Sequence, residues 1–295
     1  MPDHDRLAEQ FELSRPRLRK VAYRMLGSHA EADDAVQEAW IRLSRTESDE
    51  VESLPAWLTT VVSRICLNVL RARGNRPENL VGLRLPDPVI EHEQASNPED
   101  EAILSDSVGL ALLIVLDTLS PAERIAFVLH DTFHLTFDEI GTVIGRSTVA
   151  TRQVASRARR RVQGARTGSV NGDFASRRLL VDAFYAAARG GDLDALVALL
   201  DPDVELRADG GRVLASASAV VRGALSTAQR AALFRQPGIT VYSVLVNGTP
   251  GALVEREGKP VSVMGFTIEQ NRIVQIQILL DPDRLASIDF AAFRA

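Results

Sequence analysis

The stretch Thr136–Val162, TFDEIGTVIGRSTVATRQVASRARRRV, decides how the middle of this chain is read. Two helical segments, Thr136–Ile144 and Thr148–Val162, flank Gly145-Arg146-Ser147. Glycine suits the end of the first because it tolerates left-handed backbone. Serine suits the start of the second because its hydroxyl accepts a free first-turn amide. Two short helices joined this way, the second rich in arginine, fit a helix-turn-helix whose second helix enters a DNA major groove. The competing reading is a basic amphipathic helix packed on its neighbour. On the first reading Ser147, Thr148, Arg152, Gln153, Ser156, Arg157 and Arg160 are the candidate DNA contacts. Arginine can read guanine and glutamine adenine, while Arg159, Arg160 and Arg161 are placed to neutralise phosphate.

Upstream, Ser120-Pro121-Ala122-Glu123 predicts a helix start with serine as N-cap, proline at the first position and glutamate at the third. A helix is expected over about Pro98–Leu119. Residues 77–100 carry Pro77, Leu85-Pro86-Asp87-Pro88 and Asn97-Pro98, the chemistry of a linker that is extended in places. Before it, the chain reads as helical from about Asp5 to Arg73. Leu18, Val21, Ala22, Met25 and Leu26 recur at helical spacing, as do Ala35, Val36, Ala39 and Leu43. Downstream of a break at Gly164–Gly172, helices are expected over Phe174–Arg189 and Leu193–Leu200. Strands follow at Thr240–Val246, Ala252–Arg256, Val261–Glu269 and Arg272–Leu280. Asn247-Gly248, Glu257-Gly258 and Gln270-Asn271 between them predict antiparallel hairpins.

With 295 residues, 45% of them hydrophobic and 25% charged, the chain is sized and composed for two or three folded units. Its net charge of −5 hides an uneven distribution. Arg146–Arg178 holds nine arginines against Asp173 alone, whereas acids dominate Glu31–Glu52, and Leu85–Ser120 has no Lys or Arg. Such alternation suits more than one partner surface, or else marks solvated helix faces. No apolar run is long enough to span a bilayer and no signal-peptide core opens the sequence, so a cytoplasmic protein without a membrane partner is expected. Cys66, the single cysteine, is expected to be a buried apolar group. His130 and His134 are four apart but lack the metalloprotease glutamate, so no metal site is expected. No nucleophile–base pair and no phosphate-binding glycine loop is present, so no catalytic residue and no cofactor is assigned.

Glu31–Leu43, EADDAVQEAWIRL, resembles region 2 of the sigma-70 family of bacterial RNA polymerase sigma factors, extracytoplasmic-function type. Leu54-Pro55-Ala56-Trp57-Leu58 with Arg64, Asn68, Arg71 and Arg73 looks like its adjoining −10 reader, and Leu119–Arg161 resembles region 4, the −35 reader. The resemblance spans about residues 6–163 and implies that Asp33, Asp34, Gln37 and Glu38 dock on the polymerase β′ clamp, with the β flap and promoter DNA as further partners. It also implies capture of an extruded base by a loop around Arg45–Leu54. Trp57, flanked by Leu54, Leu58 and Val61, reads as core.

The remainder resembles a SnoaL-like cone-shaped α+β barrel, as in a SigJ-like subgroup of these factors. Three segments resemble subgroup motifs: Leu85-Pro86-Asp87-Pro88, Asp209-Gly210-Gly211 and Asp281-Pro282-Asp283. The second lacks one glycine of the motif and has Arg212 where it has lysine, and all three are also ordinary turn sequence. The expected architecture is therefore multidomain: an all-α region 2 domain (1–76), a linker (77–100), an all-α region 4 domain with the helix-turn-helix (101–165), and a SnoaL-like regulatory domain (173–295). The expected function is a sigma factor modulated in cis, with Asp209 near the mouth of a pocket for a small apolar or amphipathic effector. The alternatives are a ligand-sensing helix-turn-helix regulator that needs no polymerase, and a SnoaL-like isomerase or hydrolase tethered to a DNA reader.

Overall fold

A computed structural model describes residues 2–45, 53–74, 84–93, 109–165, 174–232 and 237–293. Contacts divide the chain into two units, Met1–Asn79 with Val115–Ala165, and Leu80–Ile114 with Arg166–Ala295. The loop expected to capture a base lies largely outside the described residues, as do residues 94–108 and 166–173. Among the described residues no helix is long and apolar enough to cross a membrane.

The first unit opens with α1 (Pro2–Leu26), α2 (His29–Leu43) and α3 (Leu54–Gly74). Each buries one stripe at three-to-four spacing: Leu18, Val21, Ala22 and Met25 on α1, Ala32, Ala35, Val36 and Ala39 on α2, Leu58, Val62, Cys66 and Leu70 on α3. Gly27, at φ +69°, ends α1 where an L side chain would be strained. Cys66 is the buried core group its surroundings predict, and burial pushes its thiol up to about 12. Trp57 is half-buried rather than fully in the core.

The chain resumes with α4 (Leu110–Asp117) and α5 (Pro121–Phe127), the latter running into a π turn at Val128–Thr132. The capping box is present: Ser120 N–H donates to the Glu123 carboxylate at 3.1 Å, and Ser120 Oγ accepts from Glu123 N–H at 3.4 Å. That carboxylate also takes a 2.8 Å bond from Arg161. Burial works against its charge, but the Ser120 bonds and the nearby Arg161 and Arg157 prevail and hold its pKa below the usual 4.5. A depressed carboxylate contributes stability above its unfolded pKa and loses it as pH falls through the folded value. Glu123→Gln is therefore expected to melt lower at neutral pH, by about 1 kcal/mol. The gap from the wild type should close on acidification below about pH 4, where the unfolded carboxyl also protonates. Melting curves across pH check this; a pH-independent gap would refute it.

Next come α6 (Phe137–Ile144) and α7 (Thr148–Gln163). A second capping box, Thr136 with Glu139, starts α6, and its Thr-x-x-Glu signal is legible in the sequence. Gly145 closes α6 at φ +71°, and Ser147 Oγ accepts from Ala150 N–H at 3.3 Å to start α7, as the turn residues predict.

The second unit holds α8 (Phe174–Gly190), α9 (Leu193–Leu199), β2 (Leu200–Asp209), β3 (Ala219–Arg222), α10 (Ala224–Ala232), β4 (Ile239–Val246), β5 (Thr249–Arg256), β6 (Lys259–Glu269), β7 (Arg272–Leu279) and α11 (Pro282–Leu285). All three predicted hairpin turns have both central residues at positive φ, the backbone that matches strand twist. A further strand, β1 (Ile90–His92), comes from the linker and pairs antiparallel with β4, Ile90 opposite Val246. The sheet order is β1-β4-β5-β6-β7-β2-β3, with only β2 and β7 parallel. Phe184, Leu196, Leu206, Phe266 and Ile276 form the centre of its core, under α8, α9 and α10.

Candidate nucleic-acid interface and linker clasp

The recognition helix has two faces. Thr151, Val154, Ala155 and Ala158 are buried against the rest of the unit, while Ser147, Arg152, Gln153, Ser156, Arg157 and Arg160 are exposed and Thr148 is half-exposed. The predicted DNA contacts therefore share the outward side. Arg152 stacks over the Phe137 ring, with 5.6 Å from its guanidinium carbon to the ring centroid, and the Thr148 hydroxyl is bonded to Asp138. Two of the arginines expected to meet phosphate also make ion pairs at the protein surface. Arg159 is paired with Asp131 at 2.7 Å and Arg161 with Glu123 at 2.8 Å. They tie α7 to the helix and turn before it.

On α3, Arg64, Asn68 and Arg71 are exposed at helical spacing and form one polar face. Arg64 donates to the Thr142 carbonyl at the end of α6, at 2.9 Å. Arg73 is half-buried, donates to the Leu26 carbonyl at 3.0 Å and pairs with Glu31, so it holds α3 to the α1–α2 corner. On α2, Asp33, Asp34 and Gln37 are exposed and Glu38 is half-exposed. Asp33 pairs with Arg19 at 2.6 Å and Glu38 with Arg42 at 2.9 Å. These are surface pairs, worth under about 1 kcal/mol and exchangeable for a partner.

The histidine pair is not a two-ligand helix face. His130 lies in the π turn with Nδ1 2.8 Å from the Leu135 carbonyl, and His134 falls beyond it at φ +59°. Among the described residues no cluster of His, Cys, Asp or Glu could hold a metal.

In the second unit the three motif segments converge. Asp209, 4% exposed at the end of β2, accepts three hydrogen bonds. Gly211 N–H reaches Oδ1 at 3.0 Å, and Leu85 N–H at 2.8 Å and Arg284 at 2.7 Å reach Oδ2. Arg284 also bonds Asp87 at 2.7 Å and the Leu85 carbonyl at 2.8 Å. Leu85 and Pro86 are buried, and Asp87 and Pro88 half-buried. Asp281 caps α11 by accepting from Asp283 N–H at 3.0 Å, which sets Arg284 one turn later; Pro282 and Asp283 themselves are exposed. Gly211 sits at φ +61°, and a Cβ there would collide with the Asp281 carboxylate; at Gly210 it would meet the Leu214 carbonyl. The glycines are thus required for close approach as well as for the turn.

Beyond this clasp, Asn247 trades bonds with Val89 (Asn247 N–H to the carbonyl at 2.7 Å, Val89 N–H to Oδ1 at 3.2 Å), and Arg178 holds Glu93 at 2.6 Å. Arg284, Asn247 and Arg178 were missed by sequence reading. Arg284 had a signal, lying one residue beyond Asp281-Pro282-Asp283; Asn247 had only its turn chemistry, and Arg178 only its charge. The carboxylate of Asp209, expected near a pocket mouth, is engaged by the linker, Gly211 and Arg284.

Fold and surfaces together define a multidomain helix-turn-helix protein whose appended α+β domain grips its own linker. Residues 11–76 match Sigma-70 region 2, and residues 110–162 match Sigma-70, region 4. The chain is 39% identical to the ECF RNA polymerase sigma factor SigJ of Mycobacterium tuberculosis, over 91% of this chain and 86% of that one. It is 33% identical to the probable ECF RNA polymerase sigma factor SigI of the same species, over 97% of each. The crystal structure of M. tuberculosis SigJ superposes with a TM-score of 0.72 at 32% identity, covering 95% of this chain and 98% of that one. The chain belongs to the extracytoplasmic-function family of RNA polymerase sigma factors, with a SnoaL-like C-terminal domain, as its resemblances implied.

Proposed function

We propose that this sigma factor brings RNA polymerase core to promoter DNA and that its C-terminal domain restrains the process in cis. In this reading the acidic face of α2, with Asp33, Asp34, Gln37 and Glu38, meets the β′ clamp. Arg64, Asn68 and Arg71 serve the −10 element, and Ser147, Thr148, Arg152, Gln153, Ser156, Arg157 and Arg160 serve the −35 element. The functional segments are 1–76, 77–100, 101–165 and 173–295. Family membership favours this over a regulator that works without polymerase.

The observation carrying cis control is the clasp: Asp209 and Arg284 hold Leu85 and Asp87 in the segment joining the two DNA readers. Held residues shorten the free tether between those readers, and tether length governs which arrangements two linked modules can reach. The commitment of the Asp209 carboxylate to this hold supports reading the domain as a restraint.

In vitro transcription with purified core polymerase tests both halves. Core plus this chain should yield a promoter-specific transcript that core alone does not. Arg284→Ala and Asp209→Asn should change its yield several-fold. No transcript would overturn the first half; yields and promoter affinity identical to wild type would overturn the second.

A further inference from the structure

Val149, in the first turn of α7, is 67% exposed. Leu13 is the other large hydrophobic side chain left in the open among the described residues of the first unit. Neither helix propensity nor core packing accounts for Val149, because a β-branched side chain is a weaker helix former than alanine or arginine and this one buries little. Its neighbours are already engaged. Ser147 Oγ accepts from Ala150 N–H at 3.3 Å, and the Thr148 hydroxyl donates to Asp138. Thr151 is buried, its hydroxyl donating to the Ser147 carbonyl at 2.9 Å. The first turn therefore holds its hydroxyls inward and offers a valine outward.

Position decides what that valine can meet. Arg152, Gln153 and Ser156 lie three, four and seven residues on, so they share one exposed row with Val149. Recognition helices meet base edges through their N-terminal residues. In the major groove the bases differ in donors and acceptors, and thymine alone adds an apolar group, its C5-methyl. We propose that Val149 packs on a thymine methyl in the −35 element and makes thymine a requirement at that base pair. A purine there would set its N7 against the valine, losing water without gaining a donor, and cytosine lacks the methyl. The pair lies within about two steps of those met by Arg152 and Gln153, since three to four residues span about 5 Å of helix axis. This role rests on the −35 assignment proposed for α7.

Polymerase core carrying the full chain, used to select duplexes from a pool randomised over the upstream promoter segment, tests this. Affinities are then measured by fluorescence anisotropy with the selected duplex. One thymine should be fixed at the predicted place. Replacing it with deoxyuridine, which removes only the methyl, should weaken binding about fourfold, the worth of one such group taken out of water. Val149→Ser should melt with the wild type, because the position is exposed. It should bind the thymine and deoxyuridine duplexes equally and lose the thymine requirement at that position alone. Three results would overturn the role of Val149 and leave the sigma function standing: no thymine sensitive to the swap, a sensitivity that persists in Val149→Ser, or a loss in Val149→Ser equal across all duplexes. Selection that enriches no sequence beyond core alone would overturn the −35 assignment itself, and this role with it.

Discussion

Arg284→Ala should lower the stability of the C-terminal unit by roughly 3–5 kcal/mol and release the linker. The side chain is 15% exposed and that of Asp209 is 5% exposed, so both charges sit largely out of water. Removing the guanidinium strips Asp209 of its cation, Asp87 of a 2.7 Å bond, and the Leu85 carbonyl of its 2.8 Å donor. The dominant cost is the buried carboxylate left without a counter-charge, which exceeds what the pair contributes net. Contrast Arg222, 74% exposed and paired with Glu205 at the surface, whose removal should cost under about 1 kcal/mol. Arg284→Lys should recover only part of the loss, since one ammonium cannot span Asp209, Asp87 and the Leu85 carbonyl in the geometry of a planar fork. Urea unfolding measures the first effect, and hydrogen exchange at the Leu85 amide the second. A protected Leu85 amide in Arg284→Ala would mean that Arg284 does not hold the linker.

Gly141→Val should abolish −35 DNA binding and destabilise the first unit by about 1–3 kcal/mol or more. Helix propensity argues the other way, since glycine inside a helix is about 1 kcal/mol worse than alanine. Space decides it. A Cβ at Gly141 would lie 2.6 Å from the Arg146 carbonyl oxygen and 3.3 Å from Thr151 Oγ1. The first of these is backbone of the helix-turn-helix turn, which cannot rotate aside as a side chain can. The same turn is closed by Arg146 N–H donating to the Gly141 carbonyl at 3.0 Å. Relief requires α6 and α7 to part, and that re-aims the face carrying Arg152 and Gln153. Gly145, by contrast, has open space around its Cβ position and only a left-handed backbone to satisfy. Gly145→Asn should cost less than Gly141→Val and retain DNA binding, because asparagine tolerates that conformation. Melting curves and fluorescence anisotropy with promoter DNA compare the pair; equal affinity of Gly141→Val and wild type would refute the steric account.

Local chemistry made much of this protein legible from its residues. The outward face of α7 follows from helical period, because burying Thr151, Val154, Ala155 and Ala158 leaves Arg152, Gln153, Ser156 and Arg157 outside. Helix starts at Ser120 and Ser147 follow from side chains that satisfy first-turn amides, and the three hairpins from paired turn residues that accept positive φ. Each signal is complete within a few neighbours, so no distant contact could overrule it cheaply.

Choice of distant partner was not legible. The sequence marks Leu85-Pro86-Asp87-Pro88 as extended linker, but the pairing of Ile90 with Val246 is settled only where β4 offers an edge. Asp209 meets a backbone amide 124 residues away and Arg284 a carboxylate 197 residues away. Arg73 and Arg64 look alike in sequence, yet one is half-buried on the Leu26 carbonyl and Glu31 while the other, bonded to the Thr142 carbonyl, stays on an exposed face. Charge and turn propensity say what a residue can bond; only the folded chain brings one particular partner within 3 Å and removes the water that would otherwise compete.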